Sequence, residues 1–141
     1  MVSYDITRTN YFRVTDEEKF RKIVNGCWCG NEAEMKIWTE TAPDGTKYFA
    51  FGCYGYIDGC CDPDGNECPD SNQFMEDLKT ILPDGEVIII THVGNNKMRD
   101  VYGEVDVITK EGWTYQNLDE LAREIAKKKL GDENWTTKNS W

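Results

Sequence analysis

Apolar positions along this chain alternate between a helical and a strand period, most clearly between Phe74 and Thr109. Phe74, Met75, Leu78, Ile81 and Leu82 recur at i, i+1, i+4, i+7 and i+8, one face of a helix. Pro83-Asp84-Gly85 stops that helix, and Val87-Ile88-Ile89-Ile90 follows, β-branched and apolar on both faces like a central strand. Gly94-Asn95-Asn96-Lys97 reads as a hairpin turn. The returning strand, Val101 to Thr109, puts Val101, Gly103, Val105 and Val107 on one face and Tyr102, Glu104, Asp106 and Ile108 on the other.

Upstream, Met1 to Asn10 reads as a loosely held lead-in and Tyr11 to Val14 as a short strand. Thr15-Asp16-Glu17-Glu18 is a capping-box pattern before a helix with Phe20, Ile23 and Val24 on its buried stripe, ended by Asn25-Gly26. Ala33 to Thr39 alternates as a strand, Ala42 to Thr46 is a turn, and Lys47 to Tyr56 is an aromatic-rich returning strand broken by Gly52 and Gly55. Asp58 to Asp70 lacks periodicity and is dense in Gly, Pro and Asp, which predicts a loop, and the capping logic recurs from Asp70 to Gln73. A last helix opens at Asn117, buries Leu118, Leu121, Ala122, Ile125 and Leu130, and closes at Gly131; a polar tail occupies 132–141.

The expected fold is therefore a single α+β domain over 1–141, an antiparallel sheet in the order β-α-β-β-α-β-β-α. Its first six elements match a ferredoxin-like unit, to which a strand and a C-terminal helix are added. At 141 residues the chain can bury a core without staples. No stretch approaches the roughly 20 apolar residues of a membrane span, and no apolar run follows a basic start, so a cytoplasmic protein without a membrane partner is expected.

Charge changes the picture most. The net charge is −10, and the window from Glu40 to Glu86 alone carries −9, with eleven acids against Lys47 and Lys79. Direct nucleic-acid binding is disfavoured, because that affinity comes from neutralising phosphates with Lys and Arg. The expected partner is a basic protein surface, such as that of a nucleic-acid-binding protein. Candidate contact residues are Glu40, Asp44, Asp58, Asp62, Asp64, Glu67, Asp70, Glu76 and Asp77, with Trp38 as an aromatic anchor on a polar strand face. The bland alternative is that the acids serve solubility and the aromatics pack at the edge of the core.

Four gathered thiolates could hold zinc, which makes Cys27, Cys29, Cys60, Cys61 and Cys68 candidate ligands. Their spacings are Cys-x-Cys and Cys-Cys, without a Cys-x-x-Cys knuckle, and free thiols are the alternative. Asp62-Pro63-Asp64-Gly65 fits the middle of an EF-hand loop, but Cys60 and Ser71 stand where its first and twelfth ligands belong. His92 is the only histidine. Without a visible catalytic partner it reads as a hydrogen-bonded core or hairpin-edge residue, and the expectation is a protein that is not an enzyme.

Three patches carry a resemblance: Asn10 to Phe20 (NYFRVTDEEKF), Val93 to Gly103 (VGNNKMRDVYG) and Asn134 to Thr137 (NWTT). Together they resemble uncharacterised small acidic proteins carried on plasmids, phages and conjugative elements of Gram-positive bacteria. The cysteine-rich insert from Cys53 to Cys68 departs from that pattern. The resemblance implies an accessory role, inhibitors of host defence of the anti-CRISPR or anti-restriction kind included, and assigns no site residues. Two functions are thus expected as alternatives. One is a non-catalytic acidic module that binds protein by nucleic-acid mimicry; the other is a cysteine-ligated zinc domain of structural or enzymatic role.

Overall fold

The structure, a computed structural model, describes residues 3–30, 34–61, 66–68, 71–97 and 100–137. It is an α+β protein built on a six-stranded antiparallel sheet, with the strand order β3-β4-β1-β7-β8-β9. These strands are β1 (Ser3–Thr9), β3 (Lys36–Thr41), β4 (Lys47–Cys53), β7 (Val87–Asn96), β8 (Asp100–Thr109) and β9 (Gly112–Asn117). Helices α1 (Glu17–Asn25) and α2 (Asn72–Lys79) cover one face, and α3 (Leu118–Leu130) follows β9. A second, three-stranded sheet joins β2 (Cys27–Cys29), β5 (Ile57–Cys61) and β6 (Glu67–Cys68) in the order β2-β5-β6.

Within the large sheet β1 pairs with both β4 and β7, so each helix crosses over a strand that lies between the two it connects. This is the split β-α-β arrangement, taken twice. The described elements exceed the predicted order by the small sheet and by β9. The predicted loop at 58–70 is corrected here, because β5 and β6 fall inside it. Their backbone groups pair with β2 and each other, and Cys60 between them is buried, which a solvated loop would not allow.

The core lies between the helices and the inner face of the sheet. Phe12, Phe20, Phe49, Phe51 and Phe74 interlock edge-on or tilted, with ring centroids 5.3–6.3 Å apart, and Leu78, Ile81, Ile88, Ile90 and Ile108 close the cluster. The Asp16 side chain accepts from the Lys19 amide (3.1 Å) and caps α1, one residue later than the predicted capping box. Thr15 instead donates its amide to the Ile81 carbonyl (2.8 Å), tying the entry of α1 to the end of α2.

The lead-in is also corrected: Ser3 to Thr9 is a central strand. Asn10 prolongs it with its side chain, donating to the Val87 carbonyl (3.0 Å) and accepting from the Ile89 amide (2.7 Å). The predicted strand at Tyr11–Val14 reduces to one bridge, Phe12 to Phe49, because Phe12 turns down into the core. Of the tail at 132–141, the described part, 132–137, returns to α3. Arg123 donates to Thr136 Oγ1 (3.0 Å) and to the Thr137 carbonyl (2.7 Å).

Candidate functional site

Antiparallel register stacks His92 between Thr7 on β1 and Glu104 on β8. Its ring is held at both nitrogens, Nδ1 to Glu104 Oε1 at 2.9 Å and Nε2 to Asp5 Oδ1 at 2.8 Å. Two carboxylate acceptors are both satisfied only by an imidazolium. Burial alone would lower the His92 pKa, but the hydrogen bonds to Glu104 and Asp5 outweigh it, and the pKa is raised.

Tyr102 donates to the same Asp5 oxygen at 2.6 Å, and Tyr115 donates to Glu104 Oε2. Donating that bond to Asp5 pushes the Tyr102 pKa up to about 12. Tyr102 reaches Asp5 across β7 because position 94 is glycine: a Cβ there would stand 2.5 Å from Asp5 Oδ1 and 2.7 Å from the Tyr102 ring. Beside the cluster lies a cavity of about 120 Å³, lined by Thr7, Tyr56, Ser71, His92, Glu104 and Asp106 among others. Asp106 faces it with a pKa pushed up to about 6 by burial and by the neighbouring Glu104.

Chemically, this constellation locks more than it reacts. Both imidazole nitrogens are engaged by carboxylates, so neither is free to take a proton from a nucleophile. The network ties β1, β7, β8 and β9 together. The histidine is half-buried at the sheet's polar end, in keeping with a hydrogen-bonded residue.

The cysteines divide into two groups. Cys27, Cys60 and Cys68 stand opposite one another across β2, β5 and β6, while Cys61, the next residue along β5, belongs to the other face. Cys29 pairs instead with Cys53, donating its hydrogen; the Cys29 pKa is raised and that of Cys53 lowered by the bond. All six are free thiols, and burial pushes Cys60 up to about 11 and Cys27 upward as well. The five candidate zinc ligands are therefore not one cluster. Among the described residues no group of three or more His, Cys, Asp or Glu is arranged to hold a metal ion.

The acidic candidates also separate. Glu40 and Asp44 lie at the tip of the β3–β4 hairpin, where the Asp44 carboxylate accepts from the Thr46 amide (2.9 Å). Asp58 and Glu67 are exposed on the small sheet. On α2, Glu76 pairs with Lys79 (2.8 Å) and also accepts from Trp113, while Asp77 accepts from Gln73 (2.8 Å). Just beyond, Asp84 pairs with Lys110 and Glu86 with Arg13. Asp62, Asp64 and Asp70 lie outside the described residues. Trp38 is separate from all of these, under the Arg8 guanidinium at 4.0 Å from the ring centroid.

The small sheet carries an aromatic surface that the sequence pattern does not reveal. Trp28 lies flat across Gly59, where a Cβ would come within 2.5 Å of its ring. Asp58 and Glu67 are exposed on the same small sheet, and among the described residues no cation pairs with either carboxylate; Tyr54 and Tyr56, exposed just before β5, lie instead under Lys36 and over Gly30. The sequence reading puts Tyr102 and Glu104 on one strand face but links neither them nor Asp5 to His92. The available signal was their spacing: all occupy the same parity as His92 once the three strands are registered. No protein-family model, no curated protein and no solved structure matches this chain.

Proposed function

We propose that the protein is a non-catalytic binding module for a basic protein surface, docking through the small sheet. The observation that supports this best is Trp28, exposed on that sheet, with Asp58 and Glu67 exposed on the same sheet and paired with no cation among the described residues. Exposed Trp and Tyr are the side chains that most often anchor protein interfaces, because they bury large area at little rotamer cost. Uncompensated carboxylates at the rim raise the association rate with a cationic partner and set its orientation. Glu40 and Asp44 act at longer range, through the field of a chain of net charge −10. Taken with the resemblance to mobile-element proteins, the basic surface is the nucleic-acid channel of a host defence protein, which the module occupies in place of nucleic acid.

The test is capture from host extract on the immobilised chain, at low and high salt. The partner elutes with salt or with a competing polyanion such as heparin, and Trp28→Ala lowers its affinity by about tenfold or more. The double variant Asp58→Asn, Glu67→Gln reduces the salt dependence. A partner retained equally by all three proteins, or equally at both salt concentrations, removes this reading.

A further inference from the structure

Helix α3 is well made and badly placed. Asn117 caps it by accepting from the Glu120 amide (2.8 Å), acids fill its first turn, lysines its last, and Gly131 ends it in the left-handed region. Leu118, Leu121 and Ile125 recur at i, i+3 and i+7, yet the helix has no buried residue, and these three are 56%, 41% and 46% exposed. A 13-residue helix is marginal in water without a surface for its apolar stripe.

The outer face of the large sheet shows the matching deficiency. Ile88 and Ile90 point inward, so the odd positions from Val87 to Asn95, and those from Val101 to Thr109 on β8, point outward. None of these ten positions is charged, in a chain whose residues are 30% charged. Ile6 (48%), Val93 (45%) and Val101 (80%) stand in water on this face and line an open groove. Leu118 begins to cover it, filling the space over Gly103, where a Cβ would come within 2.5 Å of its side chain.

We propose that the chain forms a two-fold symmetric dimer, in which the outer sheet face and α3 of one copy are covered by the same surfaces of a second copy. The two uncovered surfaces are complements, an apolar stripe and an apolar ledge, and both belong to one chain. A two-fold axis therefore satisfies both at once and leaves neither over. Summed over Ile6, Ile89, Val93 and Val101 of the sheet and Leu118, Leu121 and Ile125 of α3, the exposed aliphatic area is on the order of 600–800 Å² per chain, near the roughly 800 Å² that each partner buries in a standard interface. Two chains of net charge −10 repel, and the apolar contact must outweigh that repulsion. This dimer uses a surface apart from the small sheet, so the two proposals stand or fall separately.

Sedimentation velocity on the full chain, from about 1 to 100 μM, tests it. A species of twice 16.3 kDa is expected, favoured by added salt, because screening relieves the repulsion between the copies. Val93→Glu on the sheet and Leu121→Lys on α3 each weaken dimerisation by about tenfold or more, with unchanged circular dichroism. The Leu121 side chain is solvent-exposed in the single chain, so that variant folds even where Val93→Glu does not. The control Trp28→Ala leaves the dimer intact. A single-chain mass across the whole range, or a Leu121→Lys protein as dimeric as the parent, overturns the proposal.

Discussion

On one side of the six-stranded sheet, Phe49, Phe51, Ile88, Ile90 and Ile108 lie under α1 and α2 and are sealed from water; on the other, Ile6, Ile89, Val93 and Val101 come from the same sheet and stand in it. Strand residues cannot distinguish these two fates by themselves, since both sides are β-branched or aromatic and both satisfy strand propensity. The difference is the helix above. Two crossover helices bring Phe20, Val24, Phe74 and Leu78 onto the inner face, whereas α3 packs mainly at β8 and β9 and leaves Ile6, Val93 and Val101 on the outer face exposed. Burial is thus a property of layering, and an apolar strand face is completed by a second layer wherever one is supplied.

The largest test of this contrast is Phe51→Ala. Phe51 stacks against Phe12, Phe20 and Phe74 and is fully buried, so truncation removes packing and leaves a cavity, a cost of about 3–5 kcal/mol in chemical denaturation. Val93→Ala on the outer face costs less than about 1 kcal/mol at concentrations where the chain is monomeric. Equal losses at the two positions would mean that the outer face is covered within a single chain.

What the sequence made legible follows the same division. The helical stripe from Phe74 to Leu82 lies in the core as its period implies, although α2 stops at Lys79 and Ile81 and Leu82 are buried just beyond it. The Gly131 cap and the Asn117 start of α3 are also where local chemistry puts them. By contrast, β1 was illegible because its inward residues are Asp5, Thr7 and Thr9, which a hydrophobic pattern reads as solvent-facing. On β8 the inner face is Tyr102, Glu104, Asp106 and Ile108, and the valines point out. Both exceptions to an apolar-inside pattern have one origin. Asp5, His92 and Glu104 satisfy one another across three strands, and pairing between residues 87 positions apart leaves no local trace. The leucines of α3 were read as buried for the complementary reason: amphipathicity reports that a helix seeks a surface and says nothing about which molecule provides it.

The inner face is itself uneven, apolar under the helices and polar at the end where His92 sits, and Gly94→Ala probes the seam between the two. The added Cβ meets Asp5 Oδ1 at 2.5 Å and the Tyr102 ring at 2.7 Å, so Tyr102 must withdraw from Asp5. A cost of about 1–3 kcal/mol is expected, with faster amide exchange along β1 and β7. A loss confined to Tyr102 alone, with exchange on β1 unchanged, would show that the network decorates the sheet without pinning it.

The smallest effect is a dependence on pH that the apolar end of the face lacks. The folded-state pKa of His92 is raised, so its contribution is fully present below the ordinary histidine value near 6.5 and is lost as pH rises through the folded value. That of Asp106 is raised to about 6, so its contribution too is greatest below the ordinary aspartate range and fades as pH rises toward 6 and above. Both groups act in the same direction: stability falls as pH climbs from about 4 through 6 and then through the raised value of His92. Asp106→Asn removes the first of these losses, because the amide carries no charge to desolvate. It should stabilise the protein by on the order of 1 kcal/mol at pH 8, after allowance for solvent screening, and change little at pH 4. A variant less stable than the parent at pH 8 would mean that the Asp106 carboxylate, ionised, makes a favourable contact that outweighs its burial.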